Sequence, residues 1–219
     1  MVSRVHFEEE KRLLREDILQ MGVRVEEDLR KALVAFRTQD EKLAAEVKAD
    51  DPVVNEFQRA VEDRSARLLA TQQPVAQDLR FLVASIKVAD QLERIGDHAV
   101  HLAKSAIKLR KEPYIKPLAN IERMAETGSD MVRSAVEAFL SLDSAKARTT
   151  ASRDDEIDKN HKALVSELLD FLREHPEKAQ QGTKIIQTSG FLERLGDHVT
   201  NVCEAVVYAA EGKYEELND

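Results

Sequence analysis

Four pairs of oxygen-bearing side chains are spaced four residues apart: Asp51 with Asn55, Glu93 with Asp97, Asp154 with Asp158, and Glu193 with Asp197. On an α-helix that spacing puts both members about 40° apart around the axis and one turn along it. Two carboxylates held so close repel by a few tenths of a kcal/mol, so the arrangement invites a cation. One such pair in isolation is usually a solvated helix face. Clusters of oxygen donors drawn from several pairs would instead suit a hard or borderline ion such as Mg²⁺, Mn²⁺, Fe or Zn²⁺.

The pairs matter only if the chain brings them together, and its patterning is helical throughout. Leu14, Ile18, Met21, Val25, Leu29, Ala32 and Phe36 follow the three-and-four spacing of a first amphipathic helix. Thr38 with Glu41 has the form of a capping box opening a second helix, which runs through Leu43, Val47, Val54, Phe57, Val61 and Leu68 toward Gln72, with Pro52 expected to kink it. Pro74 is placed for the first turn of a third helix carrying Leu82, Ile86, Leu92, Ile95 and Leu102 to about Lys111. Pro113 and Pro117 close this half. A fourth helix spans Ile121 to Phe139, a fifth is capped by Asp143 or Ser144 and runs to His175, and a sixth follows Pro176 and ends near Gly212. Short turns make neighbouring helices antiparallel, so the expected fold is all-α: two pseudo-symmetric three-helix bundles, residues 1–112 and 113–219, joined at Glu112–Pro117.

Duplication is visible in the letters. Leu92-Glu-Arg-Ile-Gly-Asp-His98 and Leu192-Glu-Arg-Leu-Gly-Asp-His198 differ at one aliphatic position and lie one hundred residues apart. Register then follows by counting. The first-half pairs centre on positions 53 and 95, with midpoint 74; the second-half pairs centre on 156 and 195, with midpoint between 175 and 176. Both midpoints are the turns at Pro74 and at His175-Pro176, so each antiparallel hairpin should bring its two pairs abreast. Glu93 and Asp97 align on the helical wheel with Leu82, Ile86 and Val100, away from the Leu92, Ile95, Ala99 and Leu102 stripe expected to form the core, which places the site on a flank. Gly96 and Gly196 each cost a mid-helix position about 1 kcal/mol relative to Ala; close helix packing explains them as well as room for a ligand does. Arg94 and Arg194 read as solvated rather than as counter-charges. His98 and His198 point roughly 100° away from the neighbouring Asp and are left out of the ligand set.

Composition excludes several classes. A formal charge of −8 with Lys and Arg scattered among more numerous carboxylates does not suit a surface that tracks nucleic-acid phosphates. The lone Cys203 forms no internal disulfide and no charged, apolar, small-residue leader is legible, which sets the expectation of a cytoplasmic protein. No apolar run approaches the roughly 18 residues of a membrane span, so any membrane association would be peripheral, through partners. Nucleophile–base sets, phosphate-cradling glycine loops and dinucleotide fingerprints are missing as well, which argues against an enzyme.

With these residues in view, the chain resembles the PhoU family over nearly its whole length. The most specific segments are Gln73-Pro-Val-Ala-Gln-Asp-Leu-Arg80, Leu92-Glu-Arg-Ile-Gly-Asp97 and Leu192-Glu-Arg-Leu-Gly-Asp-His198, with Asn201 beyond. The resemblance implies paired three-helix bundles and metal roles for Asp51, Asn55, Glu93, Asp97, Asp154, Asp158, Glu193 and Asp197. It further implies a non-enzymatic, homodimeric negative regulator of the phosphate-starvation response and of phosphate uptake. Such a regulator links the ATPase PstB of the phosphate transporter to the sensor histidine kinase PhoR. Departures fall in the first half: Asn55 is not a carboxylate, His101 stands where the second repeat has Asn201, and Pro52 adjoins Asp51. Two other classes compete. A di-iron type bundle enzyme would need Glu-x-x-His pairs facing inward, and the nearest approach is Asp158 with His161. A metal-free interaction bundle would simply leave the carboxylates solvated.

Overall fold

The computed structural model describes residues 2–110, 112–115 and 118–218, with side chains from Arg4 onward. Its helices are α1 (Val2–Thr38), α2 (Glu41–Gln72), α3 (Ala76–Leu109), α4 (Ala119–Ser141), α5 (Ser144–Ala151), α6 (Asp154–Glu174) and α7 (Ala179–Glu211), with a single 3₁₀ turn at Pro176–Lys178. No strand occurs among the described residues. α1, α2 and α3 pack on one another, α4 packs with α5, α6 and α7, and the halves meet through α3 on α7 and α1 on α4. The expected stripe is the core: Leu14, Ile18, Met21, Val25, Leu29, Ala32 and Phe36 of α1 are fully buried, as are Ile95, Ala99 and Leu102 of α3.

Burial extends further around α3 than its wheel suggested. Leu82 and Val100, aligned with Glu93 on the wheel, are buried too. The cause is position: α3 touches α1 and α2 on one side and α7 on the other, so it needs two apolar stripes. One hydrophobic cluster accordingly runs through both halves.

Several local expectations need correction. Thr38 does not cap the second helix; its hydroxyl donates back to the Val34 carbonyl, and Asp40 is the cap, accepting from the Lys42 and Leu43 amides. Asp40 wins because one carboxylate oxygen reaches both orphan N–H groups. Pro74 lies in the turn before α3 rather than in its first turn, between Gln73 in the left-handed region and the Val75 cap. Pro52 lies inside α2, as expected, and the helix runs on past it. The expected fifth helix is two helices, divided at Ser152 and Arg153. Here Thr149, Thr150 and Ser152 turn their hydroxyls onto backbone carbonyls three or four residues back, a competition that weakens a helix. The break also gives Asp154, Asp155 and Glu156 the first turn of α6, where the helix dipole favours carboxylates. Asp143 caps α5 through the Lys146 amide, and Gly212 ends α7 in the left-handed conformation, both as expected. The expected helix end at Lys111 and the junction residues Lys116 and Pro117 lie outside the described residues.

The rest of the junction is tied to both halves. Gln39 donates to the Leu109 and Glu112 carbonyls, the Tyr114 hydroxyl donates to the Phe36 carbonyl, and Gln181 accepts from the Ile115 amide while donating to the Pro113 carbonyl. The carboxy-terminal segment is held by Arg148 of α5, which forks onto Glu211 and Glu215. Cys203 is fully buried in α7, and burial pushes its thiol up to about 12.

An unexpected carboxylate lies in the first bundle. Asp28 of α1 is only 3% exposed, its Oδ1 has no hydrogen-bond partner, and burial followed by the charge of Asp50 raises it to about 7. Asp50 is itself ion-paired to Arg24. A carboxyl whose folded pKa lies above its unfolded value near 3.8 stabilises fully below that value, and the contribution is lost as pH rises through about 7. Asp28→Asn should therefore melt at a higher temperature than the parent above pH 7, with the difference shrinking toward pH 4, as followed by circular dichroism across that window.

Candidate metal sites on the bundle flanks

Each bundle places its pairs on the hairpin predicted by counting. In the second, Asp154 and Asp158 lie on α6 and Glu193 and Asp197 on α7, joined through the turn at 175–178. All four side chains are partly buried. Asp154 is the centre of the group. Its Oδ1 is buried without a hydrogen-bond partner, and the carboxyl is pushed up to about 7 by burial first and then by Asp197, Asp158 and Glu193. Asp197 is raised in the same way, by burial, then Glu193 and Asp158. The charges of the two helices therefore act on one another across the hairpin.

Gly196 is the residue that makes this possible. A Cβ built there would stand 1.9 Å from Asp154 Oδ1, so the Asp154 carboxylate lies over the bare backbone of α7. The first bundle lacks this device. A Cβ on Gly96 would meet Val54 Cγ1 at 3.4 Å and Val25 Cγ2 at 3.7 Å, ordinary apolar contacts. The repeated glycines thus differ: a Cβ would fit at position 96, so close packing does not require Gly96, whereas room for a carboxylate explains Gly196.

In the first bundle Asp51 and Asn55 lie on α2, and Glu93 and Asp97 on α3, joined through the turn at 73–75. Glu93 is raised by burial, then by Asp97 and Asp90, with a contribution from Asp51 across the hairpin. Asp51 and Asn55 are half-buried, while Asp97 is exposed. The Asn55 amide brings an oxygen without charge, so this set is the less negative of the two.

Neighbouring cations compete for some of these groups. Lys162 pairs with Asp158 at 2.8 Å, and Arg94 pairs with Asp90 at 3.2 Å rather than with the cluster. Among the described residues, no three His, Cys, Asp or Glu side chains stand close enough to enclose one ion without adjustment. The donor set nevertheless fits a hard cation. An orphaned, buried carboxylate oxygen surrounded by like charges is costly, and a divalent ion removes both costs at once. The histidines belong elsewhere: His98 is buried in the α3–α7 seam, stacked on His198 at 5.4 Å between ring centroids.

The wider comparison agrees with this architecture. The family model described as the PhoU domain matches residues 18–106 and again 121–206. The chain belongs to the PhoU family. It is 34% identical over 219 residues, the whole of both chains, to the phosphate-specific transport system accessory protein PhoU homolog of Clostridium acetobutylicum. The crystal structure of PhoU from Pseudomonas aeruginosa superposes with a TM-score of 0.91 at 32% identity, covering 94% of this chain and all of that one. That of the phosphate transport system regulatory protein PhoU from Streptococcus pneumoniae gives 0.88 at 31% identity, covering 95% and 99%. Within this PhoU-family chain, sequence reasoning found the four pairs but missed Asp28, whose single carboxylate inside an apolar stripe carried no pattern.

The unequal glycines lead to an expected contrast. Gly96→Ala should leave melting unchanged or raise stability by up to about 1 kcal/mol through helix propensity. Gly196→Ala should displace Asp154 and lower metal affinity of the second site by more than it lowers stability. Thermal melts paired with metal titrations of the two variants measure both.

Proposed function

We propose that this chain is an accessory regulator of phosphate transport without catalytic chemistry of its own, whose acidic flanks hold metal ions. The observation that carries the metal reading is the buried, unpartnered Asp154 Oδ1 over Gly196, on a carboxyl raised by burial and then by the charges of Asp197, Asp158 and Glu193. Those four residues would hold the second ion or cluster, and Asp51, Asn55, Glu93 and Asp97 the first. An ion there would neutralise the flank and bind α6 to α7, or α2 to α3, making each hairpin a stiffer surface. Iron, zinc, manganese and magnesium all suit such oxygen donors.

The regulatory half of the reading rests on kinship. Relatives of full length are named accessory proteins of the phosphate-specific transport system. That kinship supports a partner in the phosphate transporter; in our reading the partners are its ATPase PstB and the sensor histidine kinase PhoR, met by a cytoplasmic homodimer on the inner side of the membrane. No helix among the described residues is long and apolar enough to cross a bilayer, so contact with a transporter would be through its soluble parts. Binding that favours one conformation of a kinase or ATPase shifts its activity without a reaction on either. Residues 1–112 and 113–219 serve as two copies of one unit, which suits a molecule with two partners.

Glu193→Ala/Asp197→Ala should lose the metal of the second half while keeping the fold, since both side chains lie on the flank. Elemental analysis of purified parent and variant decides the matter: equal metal content would refute the site. Pull-downs from cells grown with and without phosphate test the regulatory reading independently of metal.

A further inference from the structure

The seam between α3 and α7 carries two clefts that the duplication makes equivalent, and they have opposite charge. The helices run antiparallel: Phe191 stacks on His101 at 4.6 Å, Gln91 accepts from Asn201 at 3.3 Å, and Lys87 lies over the Tyr208 ring. One cleft is lined by Lys87, Gln91, Asn201, Glu204 and Tyr208. Shifting each number by one hundred gives the lining of the other: Gln187, Phe191, His101, Lys104 and Lys108. The first cleft adds Glu62, Asp90, Glu215 and Glu216 and is acidic. The second adds Lys184, and it shares Lys108 and Lys184 with a neighbouring cavity of about 430 Å³, where Lys108, Arg110, Lys178 and Lys184 stand against Glu112 and Glu177 among the described residues.

The cations of the second cleft are only partly paired. Lys178 pairs with Glu112 and Arg110 with Glu41, but Lys104, Lys108 and Lys184 have no carboxylate partner among the described residues. Three unpaired ammonium groups beside one cavity repel one another, in a chain whose formal charge is −8. Their field is felt by His101, which burial and then Lys104 and Lys108 hold below the usual histidine range. Against such a background an anion must be drawn by local contacts rather than by net charge.

We propose that this basic cleft binds an anion bearing two or more linked phosphoryl groups, held between Lys104 and Lys108 of α3 and Lys184 of α7. Lysine is a point charge well matched to phosphate oxygens, and Lys104 and Lys108 stand one helical turn apart, a span that several linked groups fill better than one. The pocket that all three lysines line is small, about 70 Å³, and it shares Lys108 and Lys184 with the neighbouring cavity of about 430 Å³, which leaves room for a chain of linked groups to extend. Free oligophosphate and the tail of a nucleotide share this chemistry. The site is separate from the acidic flanks and does not depend on metal.

Calorimetric titration of the full-length chain with tripolyphosphate, ATP and orthophosphate tests the proposal. Tripolyphosphate should bind at one equivalent and at least about tenfold more tightly than orthophosphate. ATP binding at the same site would identify a nucleotide as the source, and ATP failing where tripolyphosphate binds would identify the free anion. Lys108→Gln/Lys184→Gln should weaken tripolyphosphate by at least about tenfold, whereas Lys87→Gln in the equivalent acidic cleft should not. Binding should persist in Glu193→Ala/Asp197→Ala, and its loss there would show capture through a flank metal and overturn the proposal. Equal affinity of the Lys108→Gln/Lys184→Gln variant and the parent, or equally tight binding of a polyglutamate peptide, would overturn it as well.

Discussion

Packing of α3 against α7 is the contact on which the rest of the molecule depends. Each of these helices is the last of its bundle, and each must bury one stripe against its own partners and another against its counterpart. That double demand explains why residues such as Leu82 and Val100 are buried beside a carboxylate pair, and why one hydrophobic cluster serves both halves. It also fixes where polar groups can go. The seam takes the histidines, and the hairpin flanks, one face further round, take the Glu and Asp pairs.

Once the seam is set, duplicated positions are free to diverge in chemistry while keeping their place. Gly96 and Gly196 show this at the smallest scale, since one accommodates Val54 and the other the oxygen of Asp154. The break between α5 and α6 has no counterpart in α2, yet it leaves Asp154 at the head of a helix, where its charge is better tolerated. The two clefts at the ends of the seam show the same divergence at larger scale, Glu204 and Tyr208 standing where the other repeat has Lys104 and Lys108. A molecule built from equal halves thus presents unequal surfaces.

Most of the helical plan was legible because apolar spacing and turn residues are local signals. Register was legible because the two pairs of each hairpin are equidistant from a proline-marked turn. What escaped was decided by competition among groups with similar letters. Asp40 outbid Thr38 for the same amides, and Ser152 with its threonine neighbours interrupted a run whose apolar spacing was continuous. The buried Asp28 and the charge contrast between the clefts depend on which helices touch, and no single-helix pattern contains that information. For the flanks, spacing picked out the carboxylate pairs, but only the packed structure distinguished a carboxylate lying on bare backbone from one facing water.

Cys203 carries a practical corollary. With its sulfur buried in the core and its thiol held far from ionisation, Cys203 should be inert toward alkylating dyes and spin labels in the folded chain. A thiol introduced at any exposed position would then be the sole reactive handle, so distances between the two bundles become measurable without first dismantling the native core.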